Sequence, residues 1–501
     1  MIQAHPQISV KEEPAFELLL DKKYWIFSGL MFIKIISLTA APQLAFVNYL
    51  LVAFLLGNAL YYFTRPAELV FVFTLIYYSD MRDWASRFEL ISGGGTRILL
   101  LDVFFIMMIA IAVLHFLKKP EIYSYHLKWL VLLITAFWLF NFVRGVMVSP
   151  IGYVIGEARF YIASILILMC VRYLRNDPVY AMRKLMQIIS LCSLYVAFYT
   201  IMMVVLGKPH EEGRFSPGNS EVEVIFYGLL ICFLEIHYKK RLHILPYNKY
   251  IMVFAYLGII FLTGVRSMII VTVLATGYFI FISTKVSILK KFSIIVAFIV
   301  GGAILLQFEA AQKVLKFQTE FLDIAAGNGN KHNRTSSDFR QLMWGIFWEN
   351  LVSSNERMLL GRPFDNELID ITSLHWAHKE GESYVDNSLA HNDFLAISMT
   401  NGLVFTGLLL TLLLLYSLKC LMVSSKDIRY APYFLFLGCG LLSQMFQSGT
   451  NAEIKHYQFS IMLWFFIGII AIMLNVLKNP IDSQSHTEQV SLENQPSTTH
   501  S

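Results

Sequence analysis

Five ionisable residues stand at the margins of apolar runs, where a charge is costly enough to need a reason. Arg159 lies in Gly-Glu-Ala-Arg-Phe, and Arg214 in the polar turn Gly-Arg-Phe-Ser-Pro-Gly-Asn. Arg266 lies in Leu-Thr-Gly-Val-Arg-Ser, between two apolar runs with almost no loop between them. Arg340 falls on the polar face of a helix in a long loop, and His391 stands in Ala-His-Asn-Asp-Phe just before a long apolar run. Arginine presents a planar fork that matches phosphate bidentately and stays charged when desolvated. Histidine titrates near neutral pH and can take a proton from an attacking hydroxyl. Several arginines and one histidine on one face therefore suit capture of a diphosphate and handling of a proton.

Those residues have to be positioned by membrane helices. Hydrophobic residues make up 56% of the 501 positions and charged residues 15%, against roughly 45–50% and 25% in a soluble domain. So little charge cannot cover a soluble surface, which excludes a cytosolic enzyme, a disordered chain and a secreted disulfide scaffold. The net charge of +5 is too dispersed for nucleic acid. Cys170, Cys192, Cys232, Cys420 and Cys439 sit in or at the ends of apolar runs, with no metal-ligand or disulfide spacing. No cleavable signal peptide is visible in the mixed polar residues 1–23.

A span needs ~20 apolar residues. Fourteen candidate runs occur, near 24–40, 44–63, 66–79, 98–117, 127–148, 160–173, 185–206, 222–237, 250–264, 268–284, 292–307, 396–418, 431–448 and 458–477. Two are short, 66–79 and 160–173, and read as re-entrant or tilted pieces. The expected fold is an all-α polytopic membrane protein of about 12–14 transmembrane helices. With the N-terminus in the cytoplasm, the inner loops hold Lys118 and Lys119, Arg175, Arg183 and Lys184, Lys239 to Arg241, Lys285 to Lys291, and Lys419 to Arg429. The short outer loops hold few basic residues. That alternation follows the positive-inside rule and puts both termini in the cytoplasm.

One connection is long. Residues 308–395 carry thirteen Asp/Glu against eight Lys/Arg, so this outer loop is acidic where the inner loops are basic. Phe339, Leu342, Met343, Ile346, Phe347 and Leu351 recur at helical spacing, which predicts an amphipathic helix over 338–352 capped by Asp338. The expected organisation is a cytoplasmic 1–23, a helical bundle 24–307, the periplasmic loop 308–395, C-terminal spans 396–478 and a disordered tail 479–501.

Most single features have a plainer explanation. An Arg at a helix end is commonly a snorkelling anchor or a carbonyl cap; Arg266 departs from this because its turn is so short. Trp344 and Trp348 read as interface anchors, Asp80 and Asp83 as a solvated loop, and Gly93 to Gly95 as a flexible turn.

Four segments in order resemble the O-antigen ligase and O-antigen polymerase superfamily of GT-C type membrane glycosyltransferases. Leu-Thr-Gly-Val-Arg-Ser at 262–267 is similar to its Thr/Ser-Gly-x-Arg turn, and Arg340-Gln-Leu-Met-Trp344, with Leu-Leu-Gly at 359–361, to its Arg-x-x-x-Trp helix and trailing Gly. His391-Asn-Asp-Phe-Leu with Asn-Gly-Leu at 401–403 resembles its His-Asn-x-Tyr/Phe-Leu signature, and Arg-Phe-Ser-Pro-Gly-Asn at 214–219 its earlier outer turn. They span about residues 155–420. Two departures stand out: Gly-Arg-Pro-Phe follows Leu360 in place of Gly-x-Gly, and Thr400 replaces an acidic residue.

The resemblance implies an undecaprenyl-diphosphate-linked glycan donor and transfer at the periplasmic face of a bacterial inner membrane, with no metal or other cofactor. The acceptor would be a glycan or a lipid A core. His391 and Arg266 would be catalytic, with Arg214, Arg159 and Arg340 on the diphosphate or glycan. A repeat-unit polymerase is the favoured member, a ligase to lipid A core or protein the alternative. A flippase or exporter is a third reading; it expects charges inside several spans, of which Lys34 and Asp102 are the visible cases. A reporter enzyme active only outside the cytoplasm should work when fused after residue 330 and be silent when fused at the C-terminus; the opposite pattern would invert the proposed sides.

Overall fold

The computed structural model describes residues 20–79, 88–93, 96–118, 124–208, 219–238, 242, 244–279, 336–362, 369–370, 384–385, 392–426, 430–450 and 457–477. Among them 87% are helical. The helices are α1 (Lys22–Thr39), α2 (Val47–Tyr61), α3 (Pro66–Tyr78), α4 (Leu100–Lys118), α5 (Lys128–Val148), α6 (Ile151–Ile162), α7 (Ile165–Met169), α8 (Pro178–Val205), α9 (Asn219–His237), α10 (Lys249–Thr263) and α11 (Arg266–Gly277). Beyond residue 335 come α12 (Ser336–Leu351), α13 (Asn355–Leu360), α14 (Asp393–Lys426), α15 (Ala431–Thr450) and α16 (Tyr457–Val476). Two small hairpins add strands that apolar-run counting does not reveal: β1 (Glu89–Gly93) with β2 (Thr96–Leu99), and β3 (Ile369–Asp370) with β4 (Tyr384–Val385).

Thirteen of the fourteen apolar runs coincide with these helices; the run at 292–307 lies outside the described residues. Among the described residues four stretches are long and apolar enough to cross a membrane: Pro42–Thr64, Lys128–Val148, Pro178–Val205 and Asp393–Ser425. Large apolar side chains cover the outside, with Met147, Leu117 and Leu60 each more than 70% exposed. Apolar surface in that amount belongs against lipid. The chain is a helical membrane protein.

Three boundaries differ from the sequence reading. The run at 160–173 is the second part of a broken path that starts at Ile151: α6, a turn at 163–164, α7, and a π-helical turn at Cys170–Leu174. Arg159 therefore occupies the last turn of α6, not the start of a span. Helix α8 begins at Pro178, seven residues before its apolar run, with Asp177 accepting from the Tyr180 amide at 2.9 Å. Arg183 and Lys184 thus lie on a helix, not in a loop. Helix α12 starts at Ser336, so Asp338 sits within its first turn and is not its cap.

Cross-helix bonds define the two ends of the bundle. Lys23 at the start of α1 and Lys184 near the start of α8 both donate to Glu68 at the start of α3, at 2.8 and 2.7 Å. Lys184 is buried among Tyr180, Phe71 and Tyr24. A glutamate bridging two buried ammoniums ties three helices at the Glu68 end; without Glu68, Lys23 would keep only Asp21, at 3.2 Å, while the buried Lys184 would lose its carboxylate. At the opposite end Lys208, just beyond α8, donates to the Thr39 carbonyl at the end of α1 at 2.8 Å.

Helix α14 is broken at Gly402, whose φ of 78° and ψ of 169° no L side chain adopts without strain. A continuous helix would direct the Leu403 amide to the Met399 carbonyl. Here the Arg362 amide takes that carbonyl, at 2.7 Å. The turn at 359–362 is wedged into the break, and Gly361 (φ 71°) packs backbone to backbone on Gly402. A Cβ on Gly402 would overlap the Leu359 carbonyl, and one on Gly361 would overlap the Gly402 amide. Gly402→Ala and Gly361→Ala should each destabilise by about 2 kcal/mol or more, from backbone strain and overlap together. Thermal unfolding of the purified protein measures this; unchanged melting would contradict the wedge.

Candidate functional site

The break in α14 organises the polar groups at its end of the bundle. Asn401, the last residue before the break, is fully buried. Its amide nitrogen donates to the Tyr161 hydroxyl of α6 and, at 2.8 Å, to the Thr400 hydroxyl. Its oxygen accepts from Asn141 of α5 at 3.2 Å. Arg144, one turn further along α5, donates to the Asn141 oxygen at 3.0 Å, to the Leu360 carbonyl at 3.3 Å and to Glu356 of α13 at 2.9 Å. Asn350 of α12 accepts from Arg362, itself only 3% exposed, and from Arg357 at 3.4 Å. Three guanidinium groups are thus held on α5, α13 and the wedge around the first turns of α14.

Helix α12 is fixed to the same place by an apolar stripe. Met343, Phe347 and Leu351, spaced by four, are buried against Ala396 and Met399 of α14. Leu342, expected on that face, is 44% exposed. Helix α13 is capped by the Ser354 hydroxyl, which accepts from the Arg357 amide at 3.2 Å.

The turn carrying Arg266 reaches this end by way of α15. Gly264 closes α10 in the left-handed region (φ 67°), and Arg266 opens α11 after two residues. Ser267 donates to Gln447 near the end of α15 at 2.8 Å, and the Gln447 amide contacts Met268. Since α15 runs back along α14 after a short connection, Gln447 lies at the Asn401 end.

The five sequence candidates therefore fare unevenly. Arg266 is half-buried at the head of α11. Arg159 and Arg340 have a described backbone only, on α6 and α12; the residues beside them, Phe160, Tyr161 and Met343, face α16 and α14. His391 and Arg214 lie outside the described residues, as do Asp80 and Asp83. Asn392, next to His391, caps the first turn of α14, its side chain accepting from Leu395 at 3.1 Å. The elements bearing Arg159, Arg266 and Arg340, and the segment that follows His391, share one end.

Sequence reasoning missed Asn141, Arg144, Tyr161, Glu223 and Gln444. The available signal was polar spacing inside apolar runs: Asn141 and Arg144 are three apart, as are Gln444 and Gln447, while Glu223 and Tyr227 are four apart, each pair on one helix face. Just inside the Asn401 cluster is a cleft lined by Thr135, Trp138, Tyr161, Ser164, Leu412 and Trp464. Trp138 stacks on Tyr161 with centroids 6.1 Å apart.

Among the described residues no group of three or more His, Cys, Asp or Glu could hold a metal ion. All five cysteines are unpaired thiols. Compared with known proteins, the chain matches no family model and no curated sequence.

Asn401→Leu should cost about 2–3 kcal/mol, since it strands buried groups of Asn141 and Tyr161. Glu356→Gln should cost under about 1 kcal/mol, because the Glu356 side chain is 71% exposed and screened. Equal losses in thermal unfolding would show that the cluster is not organised around Asn401.

Proposed function

We propose that the chain is a membrane glycosyltransferase acting on an undecaprenyl-diphosphate-linked glycan at the periplasmic face of a bacterial inner membrane, with 12–14 spans and both termini cytoplasmic. The observation that supports this reading is a shared end: α6 and α12, which carry Arg159 and Arg340, and the start of α14 after His391 meet at the break in α14, while α11, headed by Arg266, is tied to the part of α15 that runs back toward it. The resemblance scatters these motifs between residues 214 and 403, and its trailing Gly361 and Asn401-Gly402 are the pieces in direct backbone contact.

The chemistry assigned to these groups is displacement at an anomeric carbon. The acceptor hydroxyl forms the new carbon–oxygen bond as the bond to the diphosphate oxygen breaks, and the lipid diphosphate leaves. Arg266 and Arg214, with Arg159 and Arg340, neutralise the charge that grows on the leaving group. His391 orients the acceptor and takes its proton.

A repeat-unit polymerase is the preferred member, since the long acidic loop offers a surface for a growing chain. A ligase to lipid A core or protein uses the same donor chemistry. A flippase or exporter is the second reading, and one observation favours it: Glu223 is fully buried in α9 and Lys34 is buried in α1, the interior charges that transport expects.

Arg266→Ala and His391→Ala should leave the protein in the membrane but abolish long-chain polysaccharide, with lipid-linked units accumulating. Normal chain-length ladders from both variants would refute the assignment. On a gel of surface glycan from a deletion strain, core capped by a single unit indicates a polymerase, and uncapped core with intact lipid-linked polymer a ligase.

A further inference from the structure

A second buried polar group lies at the Asn401 end and takes no part in the transfer chemistry. Glu223 falls in the second turn of α9 and is inaccessible to solvent. Tyr227, one turn on, donates to its Oε1 at 2.7 Å, and Ser443 of α15 lies beside the carboxyl group. Among the described residues its Oε2 has no hydrogen-bond partner. Gln444 of α15 is equally inaccessible, and among the described residues neither its amide oxygen nor its nitrogen has a partner.

The register of α15 brings these groups together. Gly440, Ser443, Gln444 and Gln447 recur at three and four residues and so form one stripe. At Gly440 the rings of Tyr227 and Phe466 close onto the bare backbone, and Gln447 is bonded to Ser267 of α11. The stripe therefore faces α9 and α11, and Gln444, between those two contacts, adjoins Ser443, the neighbour of the Glu223 carboxyl group. Glu221, two residues earlier on α9, is turned to the other side of that helix.

A buried carboxyl group is either protonated or balanced by a positive charge, and no ion pair to Glu223 occurs among the described residues. The surrounding donors are hard oxygens: Glu223 Oε2, Ser443 Oγ, Gln444 Oε1 and the Tyr227 phenol. One carboxylate balances one positive charge, whereas divalent sites gather several carboxylates. We propose that Glu223, Ser443 and Gln444 bind a small monovalent metal cation, of the sodium class, between α9, α11 and α15. The ion joins α9 to α15 and, through Gln447 and Ser267, steadies the turn that carries Arg266. The site is the same whether the protein transfers glycan or exports it, so its fate is separate from that of the transfer reading.

The test is thermal unfolding of the full-length protein in detergent, at constant ionic strength, in sodium chloride against choline chloride. The expected result is a saturable rise in Tm of several degrees with sodium, absent in Glu223→Gln and Gln444→Leu and retained in Glu221→Gln. Identical melting of the unaltered protein in the two salts overturns the proposal, and that comparison needs no variant to fold. A sodium response that survives in Glu223→Gln also overturns it. So does a Tm that rises only as pH falls in choline chloride, because a proton would then be the occupant.

Discussion

The break in α14 is the constraint on which this end of the molecule depends. Inside a bilayer an unsatisfied backbone group costs several kcal/mol, so helices are interrupted only where another part of the protein takes over the freed bonds. The turn at 359–362 does this: the Arg362 amide satisfies the Met399 carbonyl, and two glycines with positive φ let the chains touch. With the wedge in place, α13 and α12 have a fixed position on α14. Asn401 is then held in reach of Asn141 and Tyr161, two helices that are distant from it in sequence. Without the wedge the same sequence would favour a continuous helix, and Asn401 would lose its relation to Leu360 and Arg144.

The scarcity of charge gives each buried ionic contact weight. At the Glu68 end, two lysines share one carboxylate and tie α1, α3 and α8. At the Asn401 end the arginines bond to a backbone carbonyl and to amide side chains as well as to Glu356. The first arrangement neutralises charge and is a brace. The second orders guanidinium groups around the wedge. The contrast separates scaffold from site better than any single residue does.

Much of the fold was legible in the sequence. Apolar runs located thirteen helices, because a lipid-exposed helix must be apolar on nearly every face. The 338–352 helix was legible from its four-residue stripe, and its observed start at Ser336 differs by two residues. What escaped depends on contacts between distant segments. Nothing local marks Gly361 and Gly402 as partners, since each is an ordinary glycine until the other is placed against it. The start of α8 was misplaced because Arg183 and Lys184 look like loop residues, although Lys184 is satisfied by Glu68 from another helix. The β1–β2 hairpin was hidden in a short stretch with no apolar period, and Asp102, which seemed an interior charge, accepts from the Leu99 amide at 2.9 Å where the hairpin meets α4. Arg266 was found from its turn; Arg144 was not, because an arginine near the end of a long apolar run looks like an anchor.

The central claim is that the arginine-rich end of the bundle performs transfer from a lipid diphosphate. The most direct measurement is made on the purified protein in detergent, supplied with undecaprenyl-diphosphate-linked repeat units and no other protein. The account predicts release of undecaprenyl diphosphate in step with formation of a longer or newly attached glycan. Intact lipid-linked donor after prolonged incubation, across donors and acceptors drawn from the host strain, would contradict it.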